Sequence, residues 1–368
     1  MSALTAVKDS GVSSYSVTVI PAEQQGTPNT VRVSKVGADG GALDWGGGVY
    51  PLQLVRGVSY PAWCGEHRWG MLQGSMGALR STDVLVVSYP KCGTTWAEQC
   101  VLLLQHACDV RRLNPASKNV YVPRLAPQFV GKIWPEACIE QNPAVHLKTG
   151  LEFVPITLDE FNAAPEPRTI KSHAPPHLLL TGVGQDGGID SLPVGCKVVV
   201  VTRNPLDACV SSYYHAWNPS KSGWPFAAWA AAWLSGNVPH GSWFPWVKAW
   251  HEQAQRHPER VLWVQFEDLK TDPRETTRRV AAFLSPELGA DDDLIDAVVA
   301  ASSFESMREQ AASGDAGAAA GHLRKGVAGD WRNHFSPRLV SDFQAAYAEQ
   351  LGGTGIRFSL GPKEGFMG

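Results

Sequence analysis

Apolar positions alternate along this chain between two spacings. Runs of strand length are followed by longer stretches in which apolar residues recur every three or four positions. Val84–Ser88, Lys197–Thr202 and Val261–Phe266 read as strands, the second with four consecutive valines. Continuous β-branched runs suit a sheet buried on both faces. Arg168–Lys171 is a shorter strand candidate with alternating character. The stretches Thr94–His106, Pro205–Ala216, Phe226–Leu234, Trp243–Arg256, Pro273–Leu284, Leu294–Ala300 and Pro337–Gln350 are predicted helices. Asp272 before Pro273 with Glu275 following, and Ser336 before Pro337, are helix-start signals. Strands alternating with helices predict an α/β fold with a central, mainly parallel sheet flanked by helices. Ligands of such sheets bind beyond the carboxyl ends of the strands, so the residues just after each strand carry the chemistry.

The first 44 residues break this rhythm. They are rich in Ser, Gly, Thr and Val, with short alternating runs at Tyr15–Ile20 and Thr30–Lys35 that are placed to pair as a hairpin. We expect an N-terminal extension over 1–44, one main domain over 45–360 and a tail over 361–368.

Two of the strand ends stand out. Val84–Ser88 is followed by Tyr89-Pro90-Lys91-Cys92-Gly93-Thr94-Thr95-Trp96, which opens a predicted helix. A helix start has N–H groups with no partner in the helix and a partial positive charge, so it attracts anions. Lys91 adds a full charge, and Thr94 and Thr95 add hydroxyl donors. The expected ligand is phosphate-like. The order does not fit the magnesium-nucleotide loop, where the lysine follows the last glycine. After Lys197–Thr202 come Arg203, Asn204 and Pro205, with Asp207 in the first helical turn and Ser211 about two turns along. Asn204 is the predicted helix cap. A guanidinium and a hydroxyl suit a phosphate dianion, although a structural salt bridge would use Arg203 equally well. Farther on, Arg324-Lys325-Gly326 sets two cations beside a glycine.

Composition narrows the partners. The 368 residues are 44% hydrophobic and 18% charged, with a net charge of −3. No overall basic field points to nucleic acid. No apolar run approaches the ~20 residues of a membrane span, and the N-terminus lacks a signal-peptide pattern. The seven cysteines form no C-x-x-C pair and read as reduced thiols, which predicts a cytoplasmic setting. Cys92 is the exception in interest. A thiol at a helix start beside a lysine ionises more readily than a free one, whereas a buried thiol there would be inert.

Taken in order, these segments resemble the cytosolic sulfotransferases. Tyr89 to Trp96 resembles their 5′-phosphosulfate loop, and Arg203 to His215 their 3′-phosphate segment. Arg324 to Phe335 (RKGVAGDWRNHF) resembles a further motif, and Lys171-Ser172-His173-Ala174-Pro175 the segment that carries their catalytic base. Ser302 to Met307 resembles their adenine segment, and Phe266 to Leu269 stands where Tyr-Glu-Asp is usual. The likeness spans roughly 45–358.

The resemblance implies transfer of a sulfuryl group from 3′-phosphoadenosine 5′-phosphosulfate (PAPS) to a hydroxyl or amine of a small-molecule acceptor. The other product is 3′-phosphoadenosine 5′-phosphate (PAP), and no metal is required. It implies that His173 takes the acceptor proton and that Lys91 stabilises the leaving oxygen. Lys171 would help hold the transferring oxygens. Cys92, Gly93, Thr94 and Thr95 would line the 5′ end. Arg203, Ser211, Arg324, Lys325 and Gly326 would hold the 3′-phosphate. Trp96, Phe266, Ser302, Phe304 and Met307 would surround the adenine. Cys92 replaces a residue commonly Ser or Ala, and Phe266 replaces a tyrosine, so one hydroxyl contact is lost. A P-loop-like nucleotide kinase and a catalytically silent PAP-binding protein are the alternatives. The family's short dimerisation segment is altered here at Arg332, Ser336-Pro337 and Ser341. That predicts a monomer, or a dimer through another surface.

Overall fold

A computed structural model describes residues 66–108, 158–182, 188–215, 224–313 and 323–360. It also describes strands at 7–9, 13–20, 29–36, 42–43, 49–55, 58–61, 132–133 and 366–367. The chain divides into two compact units, one of 67–202 and 249–327, the other of 1–66, 203–248 and 328–368.

The first unit holds the parallel sheet. Its strands are β7 (Val84–Ser88), β8 (Lys132–Ile133), β9 (Thr169–Ser172), β10 (Lys197–Thr202) and β11 (Val261–Gln265), in the order β11-β10-β7-β9-β8. Every neighbouring pair runs parallel. The first strand in sequence, β7, thus lies at the centre, flanked by β9 and β10. The sequence explains this position: β7 is buried at all five residues, and Val198–Val201 of β10 are fully buried. A strand apolar on both faces gains most at the middle of a covered sheet.

Helix α1 (Glu66–Gly77) precedes β7, and α2 (Thr94–Gln105) follows it. The run Cys100–Leu104 of α2 is essentially inaccessible and packs with Val199, Val201 and Val264 of the sheet. Short helices α3 (Leu158–Ala163) and α4 (Pro176–Leu179) bracket β9. Arg168 enters β9 with its guanidinium buried; its Nε donates to Asp83 Oδ1 at 2.8 Å and its Nη1 to the Phe161 carbonyl at 2.8 Å.

The second unit carries a six-stranded antiparallel sheet of β1 (Val7–Asp9), β2 (Ser13–Ile20), β3 (Asn29–Val36), β4 (Ala42–Leu43), β5 (Val49–Val55) and β6 (Val58–Pro61). The expected hairpin is β2 with β3, paired over Ser14–Val36 to Ile20–Thr30. It does not stand alone: β5 and β6 extend the sheet past residue 44. Helices α5 (Pro205–Tyr213) and α6 (Phe226–Leu234) follow β10 in sequence, and α7 is Trp243–Arg256. In the first unit, helices α8 (Phe266–Thr271), α9 (Pro273–Leu284), α10 (Pro286–Ala290), α11 (Asp292–Ala301) and α12 (Phe304–Ser313) follow β11, whereas α13 (Pro337–Leu351) belongs to the second. A two-stranded ribbon of β12 (Phe358–Ser359) and β13 (Phe366–Met367) closes the list. Ser336 caps α13 through the Leu339 N–H, with Pro337 in the first turn, as the sequence predicts.

The predicted helices are present with small shifts at their ends. The short helices α3, α4, α8 and α10 carry too few apolar repeats to show in the pattern, and tertiary packing holds them; α1 and α12, of 12 and 10 residues, were not predicted either.

Candidate active site

The loop after β7 is shaped by its backbone. The Cys92 N–H donates to the Tyr89 carbonyl at 3.2 Å and closes a tight turn. Lys91 and Gly93 both have positive φ, 72° and 104°. Left-handed residues separated by an ordinary one turn successive N–H groups toward one concavity, the arrangement that holds anions. A lysine there stores about 1–2 kcal/mol of backbone strain, which the buried turn around it must sustain. Gly93 is the N-cap of α2, and no side chain caps that end. Lys91 is half-buried.

Gly93 is required for a second reason. A Cβ built there would lie 2.9 Å from Cδ2 of Phe266. The loop therefore lies directly against the ring of the residue that starts α8.

Ser88, which the sequence reading passed over, links three site residues. Its Oγ is hydrogen-bonded to Thr94 Oγ1 within the buried interior. Its carbonyl lies 2.7 Å from Nδ1 of His173. A carbonyl can only accept, so Nδ1 carries the proton and the lone pair of the neutral ring is on Nε2. The register explains the contact: Val87 pairs with Ser172, so the next residues, Ser88 and His173, lie side by side at the strand ends. Two further bonds fix the chain behind the imidazole. Ala174 N–H donates to Ser172 Oγ at 3.0 Å, and Trp250 Nε1 donates to the Ala174 carbonyl at 3.1 Å. His173 is buried, as is Lys171, which sits opposite Val86 in β9.

Cys92 is fully buried, with Sγ 3.9 Å from the Pro90 carbonyl. That environment favours the inert thiol over the reactive one. Elsewhere burial pushes the Cys100 and Cys196 thiols up to about 12.

A cavity of about 200 Å³ gathers the residues expected around the base. Trp96, Phe266, Ser302, Phe304 and Met307 line it, and so does Gly326, which was expected at the 3′-phosphate. Gly326, at φ 64°, lies flat on Phe304: an added Cβ would come 2.2 Å from the ring. This contact adds to the backbone approach to a phosphate that was expected of Gly326. Lys270 and Thr277 also line the cavity and were not foreseen. They lie on α8 and α9, beyond the resembling motifs, so only the packing brings them in. Arg324 is partly exposed and Lys325 exposed.

In the other unit Arg203 follows the last residue of β10 and is 8% exposed. Asn204 caps α5 as predicted, its side-chain oxygen accepting the Asp207 N–H at 2.8 Å. Ser211 lies two turns along the same helix and is partly exposed.

No group of three or more His, Cys, Asp or Glu side chains arranged for a metal occurs among the described residues. No helix among them is long and apolar enough to cross a membrane.

Residues 81–355 match the sulfotransferase domain family model. The chain is 30% identical to mouse sulfotransferase 1B1 over 75% of its own length and 85% of that protein. It is similar in structure to mouse sulfotransferase SULT7A1 complexed with PAP, with a TM-score of 0.58 and 24% identity over 83% of this chain and 96% of that one. It also resembles retinol dehydratase in complex with retinol and PAP, with a TM-score of 0.64 and 20% identity over 94% and 99% of the two chains. With a matched domain covering most of its length, the chain belongs to the sulfotransferase family and is an enzyme of PAPS-dependent sulfuryl transfer.

Proposed function

We propose that the residues described above divide the reaction as follows, and that the acceptor is a small molecule bearing a hydroxyl or amine. The observation that carries the reading is the bond between His173 Nδ1 and the Ser88 carbonyl. It leaves Nε2 as the basic atom at the strand ends, beside the anion loop that starts one residue after Ser88. His173 removes the acceptor proton as the acceptor attacks sulfur. Lys91, the first-turn N–H groups of α2 and Thr95 offset charge on the departing oxygen. Lys171 steadies the transferring group. Thr94, tied to Ser88, holds the loop in shape as well as facing the 5′ end.

The cavity between Trp96, Phe266, Phe304 and Met307 is shaped for the adenine. Ser302 supplies a polar edge there, and ring packing by Phe266 replaces a hydroxyl contact. Arg203, Ser211, Arg324 and Lys325 supply cations and a hydroxyl for the 3′-phosphate. The catalytic part falls within residues 45–360, and any self-association uses a surface other than the altered segment at 332–341. The related retinol dehydratase binds retinol and androsterone, which supports an acceptor with an apolar body.

The test is incubation with labelled PAPS and separate pools of phenols, sterols, aliphatic alcohols and amines, read by mass shift. A sulfated product in at least one pool is expected. PAP binding with no product in any pool would favour the silent PAP-binding alternative. Magnesium-dependent ATP turnover would favour the kinase.

A further inference from the structure

Asp207 was read from the sequence only as an acid in the first turn of a helix, yet its carboxylate is 1% exposed and fully engaged. Oδ2 accepts the Gly329 N–H at 2.6 Å and Asn204 Nδ2 at 3.0 Å, and Oδ1 accepts the Trp331 N–H at 2.9 Å. Arg203 Nη2 lies 3.9 Å from Oδ2. A buried carboxylate needs such a set of donors to remain charged. The set here is unusual in its distribution. Two donors are main-chain N–H groups of one turn, and the guanidinium belongs to the residue proposed for the 3′-phosphate.

The turn from Gly329 to Arg332 is held at its other side as well. Trp331 Nε1 and Arg332 Nη2 donate to the Leu360 carbonyl at 3.0 and 3.1 Å, and Arg332 Nη1 donates to the Gly329 carbonyl at 3.0 Å.

We infer that Asp207 is a positioning residue for recognition of the 3′-phosphate. One carboxylate faces Arg203 on the helix side and holds the Gly329–Arg332 turn on the other. The phosphate dianion takes up Arg203 without disturbing the N–H bonds, because those donors point at Asp207 and not at the ligand. This rests on the proposed 3′-phosphate role of Arg203. Adenosine 5′-monophosphate lacks the group that Arg203 is proposed to meet, so the effect is selective for the 3′ end.

Asp207→Asn tests it, because an amide places N–H against N–H on one side of the carboxylate's position. Binding of PAP and of adenosine 5′-monophosphate, which lacks the 3′-phosphate, is measured by calorimetry on the full chain. PAP affinity should fall by about 10- to 100-fold, the size of a lost charged hydrogen bond, while the monophosphate changes by less than about threefold. Equal losses for both nucleotides would mean a merely structural role and overturn the inference, as would no loss for either. If Asp207→Asn does not fold, Asp207→Glu keeps the charge, moves it by one methylene, and is read by the same two outcomes. A wild-type enzyme with no preference for PAP over the monophosphate would instead remove the 3′-phosphate site itself, and the inference with it.

Discussion

The loop after β7 and the turn before α13 each present cationic chemistry, but they are held in shape by different means. The loop's own frame is local. Cys92 bonds to Tyr89, Ala97 to Gly93, and Thr94 to Ser88 only six residues back. It is set on the carboxyl end of a strand that the sheet buries completely. The Gly329–Arg332 turn is framed from afar, by Asp207 some 122 residues earlier in the chain and by Leu360 beyond α13. A locally framed site survives in a short stretch of sequence. A remotely framed one depends on a partner that no local pattern announces.

The largest break in this comparison is His173→Ala. Its only role in the proposed chemistry is proton removal, and its ring hangs from the Ser88 carbonyl at the edge of the loop. Turnover should fall by about 10²–10⁴, with PAP affinity within a few-fold. Rate assays under saturating PAPS, with binding measured separately, check both halves. Retention of most activity would place the base elsewhere.

Next comes Arg203→Ala, which removes the guanidinium that lies 3.9 Å from Asp207. PAP affinity should weaken by about 10- to 100-fold, as for a charge-assisted contact. A PAP dissociation constant equal to that of the wild type would take Arg203 out of the site.

A smaller effect separates the base cavity from both frames. Gly326→Ala forces a Cβ into the Phe304 ring and puts alanine at φ 64°. The ring must shift, so PAP and adenosine 5′-monophosphate should both bind about five- to tenfold more weakly, or ~1–1.4 kcal/mol. That pattern contrasts with Asp207→Asn, and a loss confined to PAP would assign Gly326 to the phosphate instead of the base.

The smallest expected effect is that of chelation. With Lys91 and the first-turn N–H groups of α2 proposed to offset the charge of the leaving oxygen, turnover should persist in excess chelator. Complete loss, restored by magnesium, would contradict a mechanism run by fixed protein cations.

Particular residues show how far sequence reasoning reached. The run of valines in β10, the cap at Asn204 and the proline starts of α9 and α13 rest on neighbours within a few positions, and they appear in the structure where they were read. Trp96, Phe266, Ser302, Phe304 and Met307, named from motifs as expected neighbours of the adenine, share one cavity. Ser88 was missed because its task falls to a main-chain carbonyl and a strand-end hydroxyl, and neither leaves a compositional mark. Thr277 and Lys270 were missed because helix packing alone brings them to the cavity. Gly326 was named for its backbone, whereas its contact with the Phe304 ring, 22 positions earlier, shows only in the packing.

The likeness of its motifs to those of the sulfotransferases implied the sulfuryl-transfer class. The chain's one-dimensional pattern determined that a buried parallel sheet would form and that an anion-seeking helix start would follow its first strand. Short-range hydrogen bonding and hydrophobic burial are enough for those, because each depends on residues adjacent in sequence or on a periodicity repeated along it. Only the tertiary structure decided which histidine nitrogen is protonated and what depth of burial awaits Cys92. It also decided that a single carboxylate at Asp207 anchors a turn far along the chain. Those outcomes depend on strand register and on which donors meet in the interior, and a buried charge settles only where its donors converge in space.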